Sequence, residues 1–202
     1  GSKVNEVLQR LKTTAPYPVL FKRAFGREEI NTQNFLKALA IFELSLISNQ
    51  SKYDSVQRKA AQFTAQEKNG YTLFLQYCQR CHEEPLFRKN GFEKNGLSMN
   101  QKLKDTGRFN LTKQHEDSLK FTIPSLRNLS YSYPYFHDGR ANRLMDVLQH
   151  YNTTPNIIPF PLSKNELIDL QSFLLTLNDL SFVFNKQLGY PFEYNQSKKK
   201  SQ

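Results

Sequence analysis

Cys78-Gln79-Arg80-Cys81-His82 is the stretch whose residue types and spacing carry the most chemistry. Two thiols three positions apart suit a redox dithiol, half of a zinc site, or covalent attachment of a c-type haem, and the imidazole directly after the second thiol completes the last pattern. A structural zinc takes four ligands, and the chain has only 2 cysteines. A redox C-x-x-C normally follows a strand in a βαβ unit, whereas the approach here has helical spacing. Haem attachment uses every reactive group of the pentad. Each sulfur adds across one porphyrin vinyl group, and His82 supplies a nitrogen to the iron from one face.

The elements that must position this pentad are mainly helical. Tyr71, Phe74, Leu75, Cys78, Cys81 and His82 recur at helical intervals, so a helix through them puts both sulfurs and the imidazole on one apolar face. Thr64-Ala65-Gln66-Glu67 is a capping box that starts it. After His82 periodicity is lost for about forty residues broken by Gly91, Gly96 and Gly107; a loop of that length in a compact domain is functional or wraps something. Helical pattern returns over Ala141 to Asn152. A second capping box, Ser163 to Glu166, then precedes the stripe Leu167, Leu170, Leu174 and Leu177. Upstream, Val4, Val7, Leu8 and Leu11 share one face, and Phe35, Leu39, Phe42 and Leu46 another. A polar loop is expected from Ser48 to Lys59. With no strand alternation and no internal repeat, the class is mainly α, a cytochrome c-like helical haem domain with long irregular loops.

Composition bounds the function classes. A chain of 202 residues, 38% hydrophobic and 13% aromatic, buries a core and makes one domain or two small ones. The net charge is +10, but the cations are scattered rather than gathered into a nucleic-acid stripe. The one run, Lys198-Lys199-Lys200, reads as a solvated tail. A positive surface suits steering of a negatively charged redox partner. No apolar run reaches the length of a membrane span. Gly1-Ser2 resembles the remnant of a cloning or protease site, so the natural start and any leader lie out of view. Haem is joined to C-x-x-C-H outside the bacterial cytoplasmic membrane, which implies an exported, periplasmic parent protein.

Several segments in order resemble the bacterial dihaem cytochrome c peroxidase and MauG family. They are Leu20-Phe21-Lys22-Arg23-Ala24-Phe25-Gly26, Ala38 to Ser48, Cys78 to His82 with Pro85-Leu86-Phe87, Asp105-Thr106-Gly107-Arg108, Ile123 to Asn128, and Tyr133-Pro134-Tyr135-Phe136-His137-Asp138-Gly139. The resemblance implies two haems in two similar domains, yet this chain has a single attachment motif. It therefore implies the electron-transfer half, with one haem c here and a second on a missing N-terminal domain. Residues 1–50 would belong or bridge to that missing domain, 51–185 would form the haem domain, and 186–202 a C-terminal extension. A small redox protein would be the electron donor.

The family also implies site residues. His82 is the proximal ligand, and its other ring nitrogen should donate to an acceptor that the sequence does not name. On the opposite face the family's peroxidases have methionine and its MauG-like members tyrosine; the matching position here is Tyr151. Leu144, Val147, Leu148 and Tyr151 share one helix face, whereas Met145, the alternative ligand, is roughly 120° away. A core tyrosine remains the other reading of Tyr151. His137 falls in a segment near the family's haem, or is a structural histidine. Arg127 suits a haem propionate, or braces a loop. Ser132 and Pro134 match positions whose carbonyls help hold calcium, but their asparagine partner lies in the missing half, which leaves calcium doubtful here. His115 and His150 are expected to face solvent. The function so implied is electron relay to a peroxide-activating haem on the absent domain. The alternatives are MauG-like oxidation of a protein partner and a monohaem carrier or binding module.

Overall fold

The computed structural model describes residues 3–26 and 29–189. Gly1, Ser2 and the tail that holds Lys198-Lys199-Lys200 lie outside the described residues. The chain divides into two compact units, residues 1–47 and 48–202.

The first unit is three helices, α1 (Val4–Thr13), α2 (Tyr17–Phe25) and α3 (Thr32–Ser45). Gly26, at φ 71°, ends α2 in the left-handed conformation that a glycine adopts without penalty. Asn31 caps α3 by accepting from the Asn34 amide. Leu8, Phe21 and Ile30 form a small core, with Leu11, Tyr17, Phe25, Phe35 and Ala38 packed on it. The rest of α3 is bare. Leu39, Phe42 and Leu46, expected to share one face with Phe35, are exposed, and so are Leu36, Ile41, Leu44 and Ile47.

The second unit holds α4 (Lys52–Gln57), α5 (Ala65–Tyr77), β1 (Phe92–Lys94), α6 (Phe109–Thr112), β2 (Lys120–Thr122), α7 (Leu144–Asn152), α8 (Lys164–Leu175) and α9 (Leu180–Val183). Its frame is α5 against α8. Both helices start where their capping boxes predict: Thr64 and Glu67 exchange bonds of 3.2 and 2.7 Å, and Ser163 and Glu166 bonds of 3.4 and 2.7 Å. Gly70 lets the two backbones touch. A Cβ there would lie 1.9 Å from the Asp169 carbonyl oxygen, so no larger residue fits without displacing α8. Leu167, Leu170, Leu174 and Leu177 are all buried as the stripe requires, and Phe173 stands among Tyr53, Phe63, Tyr71, Phe74 and Phe87.

Two expectations need correction here. The polar stretch after Ser48 contains α4, because Ser51 and Asp54 form a third capping box of two bonds, 3.3 and 2.9 Å, that supports six residues with little helical patterning. The irregular stretch after His82 contains a minimal antiparallel pair, β1 with β2, in the register Phe92↔Thr122, Glu93↔Phe121, Lys94↔Lys120. Three residues per strand are too few for alternation to register in sequence.

Candidate haem site

The helix that approaches the pentad stops one residue short of it. Cys78 is the C-cap of α5, and the chain then turns tightly, with the Cys81 and His82 amides both donating to the Cys78 carbonyl at 3.1 and 3.0 Å. The turn, rather than a continued helix, carries the second sulfur and the imidazole; Leu75, expected on the same face, is exposed. Both cysteines are free thiols. Burial, then the neighbouring Cys81, pushes the Cys78 thiol up to about 12. A thiol so hard to ionise is a poor redox nucleophile. Among the described residues no group of three His, Cys, Asp or Glu side chains forms a metal cluster.

His82 Nδ1 lies 3.2 Å from the Phe87 carbonyl and 3.2 Å from the Pro124 carbonyl. Carbonyls only accept, so Nδ1 carries the hydrogen and Nε2 presents its lone pair. This tautomer is the one an iron ligand needs, and the two carbonyls also fix the ring plane. Burial, only partly offset by those carbonyls, lowers the pKa of His82 and keeps the imidazole neutral.

Tyr151 lies at the inner face of α7, packed on the same core as Cys78. Burial, then Cys78 and Cys81, pushes its phenol up to about 12. Met145 is also packed against the core instead of turned away from it. Leu144, Met145, Leu148 and Tyr151 all meet the core, a wider face of this nine-residue helix than the expected stripe. His150 is not solvent-facing: its Nε2 is 2.7 Å from the Asn95 carbonyl and its ring packs on Phe136 and Tyr151. His115 is exposed.

His137 is stacked on Phe121 at 3.8 Å between centroids, and both its ring nitrogens are buried without a hydrogen-bond partner. Buried polar atoms without partners are rare, and each asks for a missing group. Arg127 stands elsewhere. Its guanidinium grips Asp54 through both carboxylate oxygens at 3.0 and 2.8 Å and the Pro85 carbonyl at 3.0 and 2.7 Å. Four of its five N–H groups are committed to bracing the loop after the pentad. Ser132 Oγ donates to the Leu129 carbonyl, and Ser132 and Pro134 are both exposed.

The Phe87 and Pro124 carbonyls and Asp54 escaped the sequence reading. A backbone carbonyl has no residue signature, and Asp54 is 73 positions from the arginine it holds.

A model of the family described as di-haem cytochrome c peroxidase matches residues 1–62. Methylamine utilization protein MauG of Methylorubrum extorquens is 34% identical over 185 residues, 85% of this chain and 52% of that protein. Cytochrome c551 peroxidase of Nitrosomonas europaea is 29% identical over 181 residues, 87% of this chain and 54% of that protein. The crystal structure of a MauG-like protein associated with microbial copper homeostasis superposes with a TM-score of 0.82 at 26% identity, over 95% of this chain and 67% of that one. The chain thus spans about half the length of the curated relatives it matches.

Proposed function

Because the chain belongs to the dihaem cytochrome c peroxidase and MauG family, we propose that residues 48–189 are the c-type haem domain of an exported, periplasmic oxidoreductase. It relays electrons from a small redox protein to a peroxide-activating haem on a domain outside this chain. The observation that carries this reading is the Nδ1–H tautomer of His82, fixed by Phe87 and Pro124 beside two unpaired thiols. Cys78 and Cys81 would hold the porphyrin by thioether bonds, His82 Nε2 the iron, and Tyr151 the opposite coordination position. When bound, the haem supplies reversible one-electron chemistry. The residues around it orient the imidazole, exclude water and set which iron charge is favoured. His137, with two bare buried nitrogens, would meet a polar edge of the group. Arg127 contributes through Asp54 and Pro85, which leaves one of its N–H groups uncommitted.

A phenolate from Tyr151 would favour oxidised iron, where a methionine thioether would raise the potential. This favours the second reading, a MauG-like enzyme that oxidises a residue of a partner protein. In both readings a site with ligands on both faces offers peroxide no open position, so the chain by itself has little peroxidase activity. The bare apolar side of α3 would pack on the absent haem domain. No helix among the described residues is long and apolar enough to cross a membrane.

The test is Tyr151→Phe and Tyr151→Met in chain matured by a host that attaches haem c. Covalent haem is first verified by mass and by the pyridine haemochrome spectrum. Both substitutions should abolish the phenolate-to-iron absorption band and raise the reduction potential, Met more than Phe. Unchanged spectra would remove Tyr151 from the iron, and a bare polypeptide mass would remove the haem.

A further inference from the structure

Glu84, two residues beyond His82, receives two phenols. Tyr53 donates to its Oε1 at 2.6 Å, and Tyr71 donates to Oε1 at 3.1 Å and Oε2 at 3.2 Å. Tyr53 is buried, whereas Tyr71 and Glu84 are half-buried. Among the described residues no other carboxylate accepts from Tyr53. Asp54, next in the chain, has its oxygens occupied by Arg127 and Ser51, and Arg127 lies 5.9 Å from the Tyr53 ring centre. The Tyr53 ring meets the Phe87 ring edge-on, with centroids 4.7 Å apart. Phe87 is the residue whose carbonyl accepts from His82 Nδ1 at 3.2 Å. Tyr71 continues the ring series outward through Phe63, centroids 5.7 Å apart.

We infer that Tyr53 and Tyr71, sharing Glu84 as their base, form an oxidisable pair on the imidazole side of the proposed haem site, able to take up an oxidising equivalent there. The inference rests on the haem reading above. An oxidised phenol is a very strong acid, so a tyrosine gives up an electron readily only where a base stands ready for its proton. Hydrogen bonding to a charged acceptor is the strong, short kind, and the Tyr53–Glu84 bond has that length. Burial, then Glu84, raises the pKa of both phenols, Tyr71 to about 12, so each starts with its proton in place.

The step balances as follows. The Tyr53 O–H bond would break, its proton would pass to Glu84 Oε1, and its electron would leave past the Phe87 ring toward His82, where a bound haem, oxidised by way of the peroxide-activating haem of the other domain, would supply the one-electron acceptor. Tyr53 would be left as a neutral phenoxyl radical, its electron taken by that acceptor and its proton held by Glu84. Tyr71, bonded to the same carboxylate and nearer solvent, can refill it. The pair either spares the haem site from excess oxidant or passes the equivalent to a surface reductant; the chemistry at Tyr53 is the same.

The test uses the haem-matured chain and a photogenerated ruthenium(III) tris-bipyridine oxidant, with electron paramagnetic resonance on samples frozen after the flash. Exposed Tyr131 and Tyr133, which make no hydrogen bond to a carboxylate among the described residues, give a short-lived background. The expected result is a long-lived phenoxyl signal that falls at least fivefold in Tyr53→Phe and at least threefold in Glu84→Gln, which keeps the side chain's shape but not its basicity. In protein reduced beforehand, the ferrous haem band should bleach after the flash, several-fold less in Tyr53→Phe. A long-lived signal unchanged in both variants overturns the pair, with folding verified by circular dichroism and with Glu84→Gln alone deciding if Tyr53→Phe does not fold. A sample with covalent haem but no Tyr53-dependent signal defeats this inference and leaves the haem reading standing. A matured sample without haem defeats both.

Discussion

Removing the Arg127 guanidinium separates its two sequence readings. In the structure Arg127 and Asp54 are a nearly buried pair, their side chains 10% and 11% exposed, joined by two bonds and tied to Pro85 by two more. Losing one partner of a buried pair costs about 3–5 kcal/mol because a charge is left uncompensated. Asp54 would keep the amide and hydroxyl of Ser51, so Arg127→Met belongs near 3 kcal/mol. At about 2–4 °C per kcal/mol for a unit of this size, that lowers Tm by roughly 6–12 °C. The pH dependence has a definite sign. Burial alone would raise the Asp54 pKa, but hydrogen bonds from Arg127 and then Ser51 outweigh it and leave the folded value below the ordinary one. A depressed folded pKa gives stability that is present above the unfolded value, near 4, and lost as pH falls below it. Arg127→Met should therefore flatten the acid limb of a Tm-against-pH curve, and Asp54→Asn should flatten the same limb. The double variant should lose less than the sum of the singles. Thermal unfolding of haem-free and haem-loaded protein completes the assay. A propionate role predicts a loss only when haem is bound; a Tm change under 2 °C in the haem-free protein would refute the bracing role.

Three further outcomes follow from the same geometry. Gly70→Ala places a methyl 1.9 Å from the Asp169 carbonyl oxygen, which should force α5 from α8 and cost about 3 kcal/mol or more, read by urea denaturation; a loss under about 1 kcal/mol would mean the helices part freely. Thr64→Ala removes the cap of the helix that delivers Cys78 and should cost about 1 kcal/mol, with the haem absorption unchanged once loaded. Phe173→Ala, at the centre of the aromatic cluster, should cost about 3–5 kcal/mol in the same measurement.

What the sequence could and could not convey follows from the range of each interaction. Capping boxes are four residues long and helical faces repeat within eight, so the starts of α5 and α8, the leucine stripe of α8 and the inward side of Tyr151 were all readable. The end of α5 at Tyr77 was not, since the apolar spacing runs on through Cys81 while the backbone has already turned. The carbonyls that hold His82 and the carboxylate that holds Arg127 were hidden for a different reason. They are brought in by a loop that crosses from Phe87 to Pro124 and by a helix far upstream, and neither leaves a periodic trace. The exposed side of α3 shows the converse. Its apolar residues recur at helical spacing, yet most of them are exposed among the described residues.

Taken singly, several features around the pentad break ordinary rules of a folded interior. Two thiols lie unpaired, His82 commits Nδ1 to two carbonyls, His137 buries two unpartnered nitrogens against Phe121, and Tyr151 holds a phenol whose ionisation burial and the two cysteines oppose. A protein violates such rules at functional sites and satisfies them elsewhere, as the fully bonded Asp54, Asp179 and Glu67 do here. A dithiol would account for the sulfurs alone and a zinc ion for the sulfurs and one imidazole. A flat, thioether-linked macrocycle with a metal at its centre and carboxylates at its edge would account for the sulfurs and the imidazole and, under the proposed function, for the phenol and the second histidine as well. That economy favours the haem reading over its rivals, and it also sets the haem apart from the Tyr53–Glu84–Tyr71 group, whose hydrogen bonds are already complete without it.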